Sequence, residues 1–256
     1  MIRPAAWSGA LVLVLAAGCT VDPSFGPLVK IMPRPIGSRI VDLENDDPDV
    51  RRDAVQAIAK SGKAESVPTL VGLLCLVAKK DSDPMVRAAA AQALGDVEGE
   101  GVLETLKELL AGDSSPLVRA DAAASLGKKA SPDGLEALVA AMKADPNLDV
   151  RLAAEGALRH YKDRAAADAL VEGLSKSDIG EAQKCWESLR YMTGQNLPRD
   201  AAPWEEFLAS ADAPFARHGR PPGLPKGESQ RPAITKGVRH FVGSLFEQDV
   251  REGELE

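Results

Sequence analysis

Three cysteines, three histidines and one recurring arginine are the residues here whose types and spacing could do chemistry. The histidines are His160, His218 and His240. No two of them stand at metal-ligand spacing, and no HExxH or CxxC occurs. A zinc site needs such clustered donors, so no metal and no other cofactor is expected. GxSxG, P-loop and GxGxxG patterns are also missing. Nothing therefore marks an activated nucleophile or a phosphate cradle, and no catalytic residue is assigned. The arginines are Arg51, Arg87, Arg119 and Arg151, each preceded by a valine. A row of guanidiniums could serve as a basic ladder for an acidic partner. It could equally tie down turns by hydrogen bonds and ion pairs. Six residues before each arginine stand Asn45, Asp81, Asp113 and Asp145, which are suitable acceptors, so the structural use is expected.

Cys19 belongs to a different chemistry. Residues 1–18 read MIRPAAWSGALVLVLAAG, with one positive residue, Arg3, ahead of an apolar run from Ala5 to Ala17. That run has 13 residues, whereas a transmembrane helix needs about 20, so the segment is a signal peptide. Ala16-Ala17-Gly18 directly before Cys19 resembles a bacterial lipobox, although Ala16 stands where leucine is preferred. The resemblance implies that the Cys19 thiol is lipid-modified and becomes the acylated N-terminus. An ordinary secretory signal cut nearby is the alternative. With Cys19 as the acylated first residue, Thr20, and not Asp, is the second mature residue, which resembles the sorting pattern of outer-membrane lipoproteins facing the periplasm. Residues 19–39 hold four prolines and two glycines and read as a tether.

The elements that must position the arginines repeat. DDPDVRRDAVQAIAKSG, SDPMVRAAAAQALGDVE, SSPLVRADAAASLGKKA and PNLDVRLAAEGALRHYK align from Asp46, Ser82, Ser114 and Pro146, with the Val-Arg pairs spaced by 36, 32 and 32 residues. Three further apolar columns keep this register: Ile58, Leu94, Leu126, Leu158; then Leu70, Leu106, Leu138, Leu170; then Leu74, Leu110, Met142, Leu174. A sustained period of this length predicts stacked helix pairs. Asp47, Asp83, Ser115 and Asn147 suit the N-cap of each first helix, and Pro48, Pro84 and Pro116 suit its first position. Gly62, Gly95 and Gly127 fall at the expected helix ends. Leu135, Leu138, Val139 and Met142 form the inward stripe of a second helix. Cys75 and Cys185 lie about three repeats apart. Stacked pairs advance by about 10 Å each, so no disulfide is expected and both read as buried apolar residues.

The D-x-P-x-V-R starts and A-x-x-A-L cores resemble the HEAT-repeat family, in the short bacterial form called the phycobilin-lyase HEAT-like repeat. The resemblance runs from about Ile40 to Tyr191. It implies an all-α, right-handed α-solenoid, with Ile40, Val41 and Leu43 as a half-repeat cap. Glu181-Ala182 stands where a fifth Val-Arg pair would fall, so the fifth unit is degenerate. LRYMTGQNLPRDAAPWEEFLAS resembles the closing segment of secreted bacterial HEAT-like proteins, so the solenoid is set at residues 40–208. Trp186, Trp204 and Phe207 suit a cap over its open end, with ligand binding by Trp204 as the alternative.

Residues 209–232 are rich in Pro and Gly and read as a linker. Ile234, Val238, Phe241, Val242, Leu245 and Phe246 follow at helical spacing, so residues 233–256 read as a short amphipathic helix and an acidic tail. That helix could dock on the solenoid, on a partner or on a lipid surface. The charge narrows the partners. Lys+Arg is 31 and Asp+Glu 38, giving −7, which disfavours nucleic acid. The scarcity of aromatic residues, at 4%, removes base-stacking platforms as well. The expected function is a membrane-tethered scaffold for an envelope protein. The alternative implied by the resemblance is an enzyme or subunit of the bilin-lyase type, which export from the cytosol disfavours.

Overall fold

A computed structural model of the chain describes residues 35–63, 67–176 and 178–220. The signal segment, Cys19, nearly all of the tether and the C-terminal amphipathic segment with its tail lie outside the described residues. Within them the chain is all-helical. A short helix α1 (Ile36–Asp42) precedes four helix pairs: α2 (Pro48–Lys60) with α3 (Pro68–Lys80), α4 (Pro84–Asp96) with α5 (Val102–Gly112), α6 (Pro116–Lys129) with α7 (Pro132–Ala144), and α8 (Leu148–Leu158) with α9 (Arg164–Gly173). Then come α10 (Ile179–Thr193) and α11 (Ala201–Ser210). Helix α1 starts four residues ahead of the expected boundary at Ile40, so the end of the presumed tether is already structured. Its inner face is also different. Ile36 and Leu43 pack on the core, while Val41 is 69% exposed.

The pairs stack into one array with a continuous core. Ile58, Leu94, Leu126 and Leu158 of the first helices are each 0% exposed, as are Leu106, Leu138 and Leu170 of the second. Leu70, Leu74, Leu110, Met142 and Leu174 are buried beside them. Of the stripe on α7, Leu138 and Met142 are buried, while Leu135 and Val139 lie half-covered against the core. The shared register, with its spacings of 36, 32 and 32 residues, therefore puts the same column at the same depth in every layer.

The first helices begin as their sequences dictate. The carboxylate of Asp47 accepts from the Asp49 N–H, that of Asp83 from Met85 and Val86, and the Asn147 side-chain oxygen from Asp149 and Val150. Ser115 makes no such bond. Two glycines serve a purpose other than the expected helix end. Gly95 and Gly127 sit in the last turns of α4 and α6, as expected near the ends, but within the helices and buried. A Cβ on Gly127 would stand 2.7 Å from Ala157 Cα, and one on Gly95 2.7 Å from Ser125 Oγ. They are bare so that successive first helices can touch backbone to backbone. Helix α6 instead ends at Ala130, with φ +47°, whose N–H bonds to Leu126 O. Gly62 lies beyond the end of α2, with φ +65°.

The closing end is built by α10 and α11. Trp204 is fully buried and its indole N–H donates to Pro198 O at 2.6 Å. Trp186 is half-buried, donates to Leu197 O at 2.7 Å and lies under the guanidinium of Arg190, 4.4 Å from the ring centre. Burial leaves Trp204 a cap and removes it as a ligand-binding surface. The linker expected from residue 209 starts later than that. Residues 211–220 turn back on the array, where Phe215 packs on the core and the Gly219 N–H donates to Tyr191 O at 2.9 Å.

Candidate functional site

Each ladder arginine stands in the first turn of a first helix, pointed at the junction with the next repeat. Arg51 donates through Nε and Nη2 to the Asp81 carboxylate at 2.8 Å each, and through Nη1 to the carbonyls of Asn45 and Asp46. Arg87 grips Asp113 at 2.8 and 2.9 Å, Arg119 grips Asp145 at the same distances, and Arg151 grips Glu181 at 2.8 and 3.1 Å. The third donor goes back to the carbonyl of Asp81, Asp113 and Asp145 respectively. The column six residues upstream thus supplies backbone carbonyls to its own repeat, and its carboxylates belong to the repeat before. The column supplies the acceptors that the spacing suggested, with each ion pair running to the acid of the next repeat and not to the one six residues upstream. In the degenerate fifth unit Glu181, replacing valine, takes the acceptor place.

The carboxylates are clamped from two sides. Asp81 also accepts from the Asp83 N–H, Asp113 from Ser115 and Asp145 from Asn147. Burial would push these carboxyls up, but the arginine bonds and backbone N–H groups hold them below the ordinary Asp range. The arginines are raised, chiefly by the bond to their carboxylate. All four guanidiniums are thus spent inside the joint between repeats, and none is offered as a basic surface.

A second charged cluster lies where the array meets its fifth unit. Glu155 on α8 is 0% exposed. Lys176, in the turn after α9, donates to Glu155 Oε1 at 3.0 Å, to Glu181 Oε1 at 2.6 Å and to Met142 O at 2.9 Å. The Arg151 bond, with help from Lys176, pulls Glu181 down to about 2. Burial pushes Glu155 up to about 7, against the pull of Lys176. Burial, reinforced by Glu155, also pushes the Cys185 thiol far up, so it stays protonated and is no nucleophile. A carboxyl near neutrality beside a lysine is the profile of a general acid–base pair. Here the carboxyl is fully buried and the lysine is committed to three oxygens. The sequence carried a signal for it that went unread. Glu155 occupies the column of Val55, Ala91 and Ala123, all 0% exposed.

The histidines meet at the same end. His160 and His218 each make an edge-type ring contact with Tyr191, with centroids 5.6 and 5.3 Å away, and His218 Nε2 lies 2.9 Å from Arg159 O. Burial, then the nearby Arg159 and His218, lowers the pKa of His160. This contact fastens residues 211–220. His240 lies outside the described residues. Cys75 and Cys185 are free and buried. Among the described residues no cluster of His, Cys, Asp and Glu could hold a metal ion, and no helix is long and apolar enough to cross a membrane. The first helices approach closely at Gly95 and Gly127, and the second helices leave space between them. Between α5 and α7 they leave a cleft of about 320 Å³, lined by Leu110, Ala111, Ala137, Ala140 and Ala141.

The family described as HEAT repeats matches residues 39–127 and 103–190, more than half of the chain. Among solved structures, an engineered protein is 22% identical, with 70% of this chain and 92% of that one covered and a TM-score of 0.46. A designed armadillo-repeat protein is 17% identical, with 70% and 93% covered and a TM-score of 0.44. The YibA protein of Escherichia coli is 18% identical, with 68% and 77% covered and a TM-score of 0.35. No curated protein matches the chain.

Proposed function

Since the chain belongs to the HEAT-repeat family, we propose that it is a binding scaffold for another protein, held at the bacterial envelope by a lipid on Cys19. One observation carries the scaffold reading. The ionic and thiol groups described above are consumed between repeats, while the array presents a long outer surface with an apolar cleft between α5 and α7. Stacked helix pairs create such extended surfaces without any reacting centre. The tethering part rests on the sequence of residues 1–19 and on the net charge of −7, which leaves protein more suitable than nucleic acid as the partner.

Two experiments test the two parts. Crosslinking in intact cells, followed by purification of the full chain from envelope membranes, should yield a discrete partner. Recovery of the chain alone would remove the scaffold reading. For the anchor, Cys19→Ala should move the protein out of the detergent phase. One acyl chain binds only marginally while a lipoprotein anchor carries two or three, so the shift should be large. Equal partition of variant and parent would remove the anchor.

A further inference from the structure

The first residues of the five first helices form one exposed apolar edge. Pro48, Pro84, Pro116, Leu148 and Ile179 each open their helix, and each is exposed. Met85 and Leu117 extend the middle of the row, at 48% and 42% exposure, and Ile179 reaches 79%. Proline at this position is explained by helix starts. Leu148 and Ile179 are not, because acidic and polar residues are favoured there. Where proline is absent a large apolar side chain takes its place, 38% exposed at Leu148 and 79% at Ile179.

We infer that this edge is a docking surface for an extended, proline-rich, basic segment of a partner protein. The inference rests on the scaffold reading and assigns it a face. Three features select the occupant. The first is spacing. Packed helices lie about 8–10 Å apart, so the apolar side chains recur at that interval. A polyproline II segment turns every three residues and rises about 9.3 Å per turn, which puts every third side chain on one line at the same interval. A β-strand repeats its face at about 6.7 Å and falls out of step. The second is hydrogen bonding. Of the five helix starts, α6 alone has its first-turn N–H groups left without a side-chain cap, at Ser115, while Asp47, Asp83, Asn147 and Asp178 cap the others. A polyproline II backbone has free carbonyls to meet them, whereas the carbonyls of an α-helix are already used. The third is charge. The ladder arginines below the edge are neutralised, and of the lysines ending the second helices Lys79 and Lys143 are paired with Glu108 and Glu172, which leaves the exposed Lys80 outnumbered by carboxylates. Asp47, Asp83 and Asp149 remain along the edge, so a basic segment is favoured.

The test uses the full chain and a labelled peptide of four Leu-Pro-Arg units, read by fluorescence anisotropy. Saturable binding is expected. The combined variant Leu148→Ser/Ile179→Ser should weaken it about tenfold or more, the value of about one buried aliphatic side chain. Leu76→Ser, at 56% exposure on the second-helix face, should leave it unchanged. An Arg-to-Glu version of the peptide should bind at least about fivefold more weakly, since like charges then face each other. All these positions are exposed, so equal thermal midpoints will show that the variants are folded. The inference is overturned by absence of saturable binding, by equal loss in Leu76→Ser, or by equal binding of a peptide with its leucines moved to every second position. Envelope crosslinking separates the two readings. A partner captured equally by parent and ridge variant keeps the scaffold and discards this face, and no partner at all discards the scaffold.

Discussion

Single residues in this array behave according to what lies within a few ångströms, and two glycines show it. Gly72 lies inside α3 with nothing within 4 Å of a built Cβ. Gly72→Ala should therefore stabilise by about 0.5–1 kcal/mol, as helix propensity dictates. Gly127→Ala should do the opposite, costing about 1–3 kcal/mol, because the methyl meets the Ala157 backbone. Urea denaturation of the two variants reads both signs. Glu155 gives a pH prediction. Its folded pKa, about 7, lies above its ordinary value of 4.5. The folded state then holds a proton that the unfolded state has released, so this residue's contribution falls as pH rises from about 4.5 to 7. Asp81, Asp113, Asp145 and Glu181 act oppositely. Their stabilisation is present above the unfolded pKa and is lost as pH falls through the depressed folded values, near 2 for Glu181. Urea midpoints from pH 4.5 to 8 should show a decline that Glu155→Gln flattens. An unchanged slope in that variant would mean that Glu155 is ionised throughout.

At the scale of helices and their joints, the arginine fork sets the geometry. The Arg119 and Asp145 side chains are 12% and 7% exposed, so water screens them little. Arg119→Ala should cost about 2–4 kcal/mol, because Asp145 is left buried and unpaired. Arg119→Lys should recover only a minor part, since one ammonium cannot span a carboxylate and the Asp113 carbonyl together. A double-mutant cycle with Asp145→Ala should show that the two losses are far from additive. The joints also show what was legible in the sequence. Valine, leucine and arginine columns were readable because each repeat presents the same side chain at the same depth, and Leu126→Ala or Leu158→Ala should cost about 2–5 kcal/mol for that reason. Which oxygen each arginine takes was not readable. Bonding across the joint depends on how far one pair is displaced against the next, and spacing within a repeat carries no such information. The packing role of Gly95 and Gly127 was hidden for a related reason. Close approach of α4 to α6 and of α6 to α8 is a property of two helices, while a helix end is a property of one. Glu155 could have been found, as the single charge in a column of small apolar residues.

For the molecule as a whole, the two ends differ from the middle because an open layer must be covered. Trp204 closes one end, and Trp204→Ala should cost about 3–5 kcal/mol in thermal or urea unfolding. A local loss of this kind should reach the last repeat first, since each layer touches only its neighbours. The ladder has one more consequence. Every link runs in one direction, from an arginine to the acid of the following unit, so a unit takes in one bond from behind and gives one forward. The chain is in this sense written in interchangeable words. Excising residues 113–144 removes one ladder acid and one ladder arginine together and brings Asp145 to the place that Asp113 held opposite Arg87. The glycine contacts shift by the same step, with Gly95 then facing Ala157. Such a shortened protein should fold cooperatively, whereas a cut of similar length begun halfway through a unit should not. Lineages could on this account gain or lose whole units by recombination, changing the reach of the molecule without rewriting any joint.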